Sequence, residues 1–258
     1  MNLALPQLSL RAVAVWQRNF LVWRKLAIPS VLGNLADPMI YLFGLGYGLG
    51  GMLPQVAGVS YIQFLAAGTV CASTMNAASF EALYSGFSRM HVQKTWDAIL
   101  NAPVSLDDVV AGEWLLAAAK ATLSGLAILV VISALGFVAS PLALWAIPVI
   151  FLTGLAFAGL GLIVTALALS YDFFMYYFTL LVTPMVLLSG VFFPVEQLPA
   201  AAQQLASLLP LAHAVRLVRP LLLGQIPTGI ALHLTVLLAT ALPAFWLALI
   251  LTRRRLLN

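Results

Sequence analysis

What most constrains this chain is a series of apolar stretches, each about 20 residues long and barely interrupted by charge. A hydrocarbon layer of about 30 Å requires that length of helix, at about 1.5 Å per residue. Inside lipid every backbone N–H and C=O must be satisfied by the protein itself, which leaves only helices and closed barrels. Barrel strands alternate apolar and polar positions over segments of about 10 residues, and these stretches do not alternate. Composition agrees. Only 8% of the 258 residues are charged, 63% are hydrophobic and the mean hydropathy is +1.05, whereas a soluble domain carries roughly 25% charged residues. The expected fold is an all-α integral membrane protein.

Six transmembrane helices are expected, over residues 28–50, 61–84, 113–138, 142–169, 173–193 and 228–251. Residues 1–27 read as an N-terminal amphipathic interfacial helix: Val13, Trp16, Phe20 and Trp23 recur at helical spacing, while Arg11, Arg18 and Lys25 fall on another face. No compact apolar core with a small-residue cleavage site marks a secretory signal. Basic residues sort by side. The N-terminal flank, Arg89 with Lys94, and Arg253 to Arg255 share one side if the number of spans is even, opposite Arg216 and Arg219. Both termini are then expected in the cytoplasm. This sorting accounts for the net charge of +4, and no basic face interleaved with aromatics points to nucleic acid. No internal repeat or separable soluble domain is evident, so residues 1–258 read as one membrane domain.

Two segments depart from the span-and-turn plan. Residues 85–112 form a polar cytoplasmic loop, with a short helix expected from about 88 to 100 and a second helix start at Ser105, where Asp108 completes a capping pattern. Met90, Trp96, Ile99 and Leu100 mixed with charges suit a docking surface. Residues 191–227, on the opposite side, are cut by Pro194, Pro199, Pro210 and Pro220 into pieces too short to span. A re-entrant helical hairpin between spans five and six is expected there.

The chain carries no phosphate-binding loop of the G-x-x-x-x-G-K-[ST] kind. Gly46, Gly48 and Gly51 match G-x-G-x-x-G, but at the end of a span rather than between a strand and a helix. The same run places Gly44 with Gly48 and Gly46 with Gly50 at the spacing of close helix packing. One cysteine, Cys71, excludes an internal disulfide. His91, His213 and His233 are far apart in sequence and read as three separate environments, so no metal or nucleophile constellation is expected. No acidic residue is expected deep in a span, which weighs against an ion-coupled carrier. Glu81, Glu113 and Lys120 gather at the inner ends of spans two and three, with Glu81 expected to pair with Arg89 or Lys120 in a structural or gating role. Tyr171, Tyr176 and Tyr177 crowd the inner junction of spans four and five. They read as an interfacial belt or as a surface along which an amphiphilic or glycan substrate slides.

Two stretches carry a family resemblance. Residues 187–215, LLSGVFFPVEQLPAAAQQLASLLPLAHAV, resemble the signature of type-2 ABC exporter permeases, with Ser189, Gly190, Phe193, Pro194, Leu198 and Pro199 in register. Residues 80–113, FEALYSGFSRMHVQKTWDAILNAPVSLDDVVAGE, resemble the cytoplasmic loop of that family's nodulation protein J branch. The resemblance implies a non-catalytic, homodimeric permease of the bacterial inner membrane that binds two copies of a cytoplasmic ATPase. The chain itself would hold no cofactor, ATP and Mg being on that partner. Arg89, His91, Lys94, Trp96, Asp97, Leu100 and Pro103 would form its coupling helix, and Trp96 and Leu100 would anchor it. The implied cargo is a lipo-oligosaccharide or lipid-linked glycan. Other type-2 exporters of drugs or hydrophobic molecules are the nearest alternative. An ion-coupled carrier and a membrane-embedded glycosyltransferase lie further off.

Overall fold

The structure, a computed structural model, describes residues 5–53 and 55–256. It is built almost wholly of helices. α1 (Arg11–Arg24) leads into α2 (Ala27–Gly48), and a two-strand turn of β1 (Gln55–Val56) and β2 (Val59–Ser60) precedes α3 (Tyr61–Phe80). The strands pair Gln55 with Ser60 and Val56 with Val59 around Ala57 and Gly58, whose φ angles of 52° and 80° suit a tight hairpin.

Past α3 the chain widens into two π-helical turns, Glu81–Ser85 and Ser88–Val92, before α4 (Thr95–Leu100) and α5 (Leu106–Ala134). A 3₁₀ turn, Pro141–Trp145, opens α6 (Ala146–Leu167). α7 (Phe173–Tyr177), a π turn and α8 (Thr183–Leu188) form one short rod. Then come α9 (Ala200–Ala206), α10 (Pro210–Leu222) and α11 (Ile230–Leu256).

By length and composition α2, α5, α11 and the stretch Pro141–Leu167 are able to cross a membrane, and α9 with α10 adds a fifth candidate if that pair, bent by 84°, counts as one. α3 is 20 residues long but carries Thr69, Ser73, Thr74 and Asn76. The expected fifth span is shortened. Its helix stops at Leu188, and Gly190 turns away with φ 75° where residues up to 193 were expected to continue. At about 1.5 Å per residue the rod from Phe173 to Leu188 falls short of about 30 Å. The helix start expected at Ser105 is present, its capping box with Asp108 setting the first turn, and that helix runs on unbroken into the span expected from 113.

α6 is the hub. In lipid, helices associate through close packing rather than a hydrophobic driving force, and α6 supplies small residues on three faces. A Cβ on Gly154 would come within 3.1 Å of the Ala118 carbonyl oxygen on α5; on Gly159, within 3.0 Å of the Ala244 Cβ on α11; on Gly161, within 2.7 Å of the Ala82 Cβ. Polar side chains add cross-links. Ser73 and Ser124 join α3 to α5 at 3.1 Å, and the Thr165 hydroxyl donates to the Ala82 carbonyl oxygen, which lies in the first π turn.

α2 stands apart, with only Leu42 and Gly46 buried. Gly46 packs on Ile62 and Gly50 lies against the Gly46 carbonyl, whereas Gly44 and Gly48 meet nothing, so of the small-residue run Gly46 alone packs on another helix among the described residues. The N-terminal helix also differs from expectation. Its buried stripe is Ala12, Val15 and Asn19, seated on α5 where a Cβ on Gly112 would lie 2.6 Å from Val15 Cγ1. Trp16, Phe20 and Trp23 stack on a neighbouring face at 5.4 and 5.5 Å. Of segment 1–27, residues 1–4 lie outside the described residues.

Candidate functional site

The end of the bundle where α3 widens holds a closed network of charge. Glu81, where α3 widens, accepts from Arg89 at 2.9 Å and from Lys120 on α5. Both expected partners are therefore engaged. Glu113 on α5 accepts from Arg89 at 2.5–3.0 Å, from the Trp96 indole N–H at 3.1 Å and from the Asn19 amide at 2.9 Å. One carboxylate thus ties α1, the loop and α4 to α5. Burial opposes the Arg89 charge, but Glu113 and Glu81 outweigh it and raise its pKa above the ordinary arginine range. A second knot lies beside it: Asp107 pairs with Arg253 of α11, and Asp108 accepts from the Ser9 N–H and hydroxyl at 2.7 and 2.8 Å.

The proposed coupling residues divide. A single helix was expected near 88–100, but Lys94 takes a left-handed conformation, φ 49°, and turns α4 away from the preceding π turn. Trp96 then points inward, 1% exposed, rather than standing on the loop surface. Leu100 is half-buried, as is His91, whose pKa is lowered by burial and by nearby Arg255. Arg89 is held inside by its carboxylates. Lys94, Asp97 and Pro103 are exposed, and Ala98, Asn101 and Val92, 63% exposed, share that surface.

Between α2, α3 and the α7–α8 rod lies a cavity of about 730 Å³. Its middle is polar, with Asn34 and Asp37 from α2, Ser73 and Asn76 from α3, and Thr183 from α8. Aromatic pairs stand toward its two ends, Phe80 with Phe178 at 5.8 Å and Tyr41 with Phe192 at 6.3 Å. Asp37 corrects the expectation that no acid lies deep in a span. It sits near the middle of α2 and is exposed. An aspartate at the centre of a spanning helix costs roughly 2.5–3.5 kcal/mol on insertion, so such residues face a water-filled cavity or the bundle interior.

The tyrosines expected on a substrate path do not line this cavity. Tyr177 is buried and its hydroxyl meets Ser79 at 3.1 Å. Tyr171 packs edge-on to Phe87 at 5.0 Å, and Tyr176 is exposed.

The segment 191–227 is more buried than a surface hairpin. α10 packs most of its length against α3, α6 and α11. Ser189 and Gly190 are buried, Phe193, Pro194 and Leu198 half-buried, and Pro199 exposed. Arg219 does not sit in an outer loop. Its guanidinium lies 3.6 Å over the Phe64 ring and donates to the Gly190 carbonyl oxygen at 2.6 Å. His213 and His233, expected apart, meet through their Nδ1 atoms at 2.7 Å.

Known proteins match this chain closely. The family model of the ABC-2 type transporter covers residues 11–223. The chain belongs to the ABC-2 type transporter family. It is 52% identical over 254 residues to Nodulation protein J of Rhizobium meliloti (strain 1021), covering 98% of this chain and 97% of the relative. Identity is also 52% over 254 residues to Nodulation protein J of Rhizobium leguminosarum bv. viciae, covering 98% of each. Inner membrane transport permease YadH of Escherichia coli (strain K12) is 24% identical over 204 residues, 78% of each chain. As a permease of this family the chain is an integral membrane protein and not itself a catalyst. Its ATP-hydrolysing partner is a separate cytoplasmic ABC ATPase.

In this permease, sequence reading missed Asn34, Asp37 and Asn76 on the cavity wall, Val92 on the exposed loop, and the His213–His233 contact. Asp37 was visible as a charge inside an apolar stretch. The histidine contact had no sequence signal, since it joins two helices across 20 positions.

Proposed function

We propose that the chain is the permease of an ATP-driven exporter that moves a lipo-oligosaccharide or lipid-linked glycan across the bacterial inner membrane. The observation that carries this reading is the cavity, polar in its middle and aromatic toward both ends, which suits an amphiphile with a saccharide head. Similarity to Nodulation protein J supports a glycolipid cargo. The whole of 1–258 acts as one membrane domain with six spans, both termini cytoplasmic and residues 191–227 re-entrant. It works as a homodimer on two ATPase copies, with ATP and Mg bound by them and none by the permease.

The exposed face of Val92, Lys94, Asp97 and Ala98 seats in the ATPase. Trp96 and Arg89 stiffen it from behind. Motion of α4 then reaches α1, α3 and α5 through Glu113 and Glu81 rather than dissipating in a loose loop. ATP shifts the two access states only as far as its affinity for them differs.

The test is co-purification with the ATPase in nanodiscs. A stable complex whose ATPase rate rises with an acylated oligosaccharide is expected, and transport by the permease alone would refute the scheme. A hydrophobic-drug exporter would respond instead to amphiphiles without saccharide. Asp37 gives the ion-coupled reading its one foothold, and that reading requires transport driven by a proton gradient without ATP.

A further inference from the structure

Three polar side chains share the wall of the cavity. Asp37 and Asn34 lie about one turn apart on α2, and Asn76 lines the same space from α3. Among the described residues none of them makes a side-chain hydrogen bond or ion pair. Elsewhere among the described residues many polar side chains are met, although the buried His91 Nε2, Ser189 Oγ and Arg219 Nε atoms are not. Thr69, Thr74 and Thr153 donate to carbonyl oxygens of their own helices, Ser73 meets Ser124, and Glu81 and Glu113 are fully tied. Three unmet polar side chains thus lie together on the wall of a space large enough for a ligand.

The chemistry of that wall is selective. A carboxylate accepts hydrogen bonds from hydroxyl and amide N–H groups, and each carboxamide both donates and accepts. The rings of Phe80 and Phe178, and of Tyr41 and Phe192, offer apolar faces to the C–H faces of a sugar. Exposed Leu187 at the rim adds an apolar exit toward lipid. An anionic headgroup would meet the Asp37 charge.

We propose that Asp37, Asn34 and Asn76 form the headgroup subsite of this permease, taking the hydroxyl- and amide-bearing rings of a neutral acylated saccharide while its acyl chain lies toward Leu187. The assignment rests on the reading of the cavity as the cargo path, and its failure can be told apart from failure of that reading.

The test uses the permease–ATPase complex in nanodiscs. It compares N-palmitoyl chitotetraose with hexadecylphosphocholine, an amphiphile without hydroxyl or amide groups, by the concentration that half-stimulates ATP hydrolysis. Loss of a charge-assisted hydrogen bond corresponds to about 10- to 100-fold in affinity, and of a neutral one to roughly 2- to 10-fold. Asp37→Ala is therefore expected to weaken the response to the acyl saccharide by about tenfold or more, with Asn34→Ala and Asn76→Ala weakening it less. Asp37→Asn, which keeps one acceptor, should fall between. The response to hexadecylphosphocholine should not change.

An unchanged acyl-saccharide response in Asp37→Ala, or an equal loss for both amphiphiles, overturns the subsite. So does loss of cross-linking between two permease copies at unchanged saccharide response, which would assign the carboxylate to a contact between copies. Gly33→Trp separates the two levels, because a side chain there enters open space at the cavity edge. If Gly33→Trp abolishes both responses while the Asp37, Asn34 and Asn76 variants change neither, the subsite alone fails. If Gly33→Trp changes nothing, the cargo-path reading fails and takes the subsite with it.

Discussion

At the end of the bundle where α3 widens, Glu81 and Glu113 are 4% and 2% exposed, and every oxygen of theirs has a cation or donor beside it. Near the middle of α2, Asp37 is exposed and bonds to nothing among the described residues. The same chemical group is thus used under opposite conditions. Taking a carboxylate out of water is costly unless partners replace the solvent, and Arg89, Lys120, Trp96 and Asn19 do so. Nothing among the described residues does so for Asp37, which retains solvent or meets a ligand. Paired charge belongs to the frame; unpaired charge in a cavity wall belongs to what passes through.

The comparison breaks first at Arg89. Arg89→Ala leaves two buried carboxylates with Lys120 as the remaining cation and the neutral Trp96 and Asn19 donors, and loss of one partner of a buried pair costs about 3–5 kcal/mol. A large fall in the unfolding midpoint of the permease in nanodiscs is expected, partly restored by Arg89→Lys. A midpoint unchanged by Arg89→Ala would mean that the inner network does not hold the frame.

Asp37→Leu should act with the opposite sign. Replacing a mid-helix aspartate by leucine favours membrane insertion of α2 by about 3 kcal/mol on the scale used for isolated helices. Insertion of α2, read by glycosylation mapping, is expected to rise. A decrease would show that Asp37 has a structural partner and would erase the contrast with Glu113.

A smaller effect tests how tightly the N-terminal helix is held to the frame. Gly112→Ala would drive a methyl to within 2.6 Å of Val15 Cγ1, where α1 meets α5. Overpacking of this kind costs about 1–3 kcal/mol. Lower thermal stability, with α1 more open to proteolysis, is expected. If neither changes, α1 rests on α5 loosely and Asn19 contributes little to the cluster.

How far these regions could be read beforehand follows from the range of the forces that make them. The start of α5 was legible because a capping box is local, written in Ser105 and Asp108. The Glu81 pairing was legible because Glu81 and Lys120 sit at matching ends of consecutive expected spans. The inward turn of Trp96 was not, since it depends on a left-handed Lys94 that the pattern of residues 88–100 conceals behind an ordinary amphipathic spacing. The cavity was hidden for a different reason. It arises from where α2 stands relative to α3 and α8, while the tyrosines that drew attention pack against their own neighbours.

The smallest structural effect belongs to the exposed loop, and it sharpens the division between frame and surface. Asp97 and Lys94 are exposed and belong to neither the inner cluster nor the cavity. Substitutions at such positions leave stability nearly unchanged. Reversing the charge in Asp97→Lys, or placing a charge in the exposed apolar spot by Val92→Glu, should leave the unfolding midpoint where it was. Co-purification of the ATPase should nonetheless fall, because a misplaced charge at an interface is penalised whatever the area around it. Trp96→Ala should do the reverse in order: it removes a wholly buried ring, at a cost of about 3–5 kcal/mol, so the midpoint falls and the ATPase is lost only as a consequence. If instead Trp96→Ala keeps its midpoint and loses the ATPase, the indole reaches the partner directly. The boundary between frame and docking face would then run through α4 and not along its outer side.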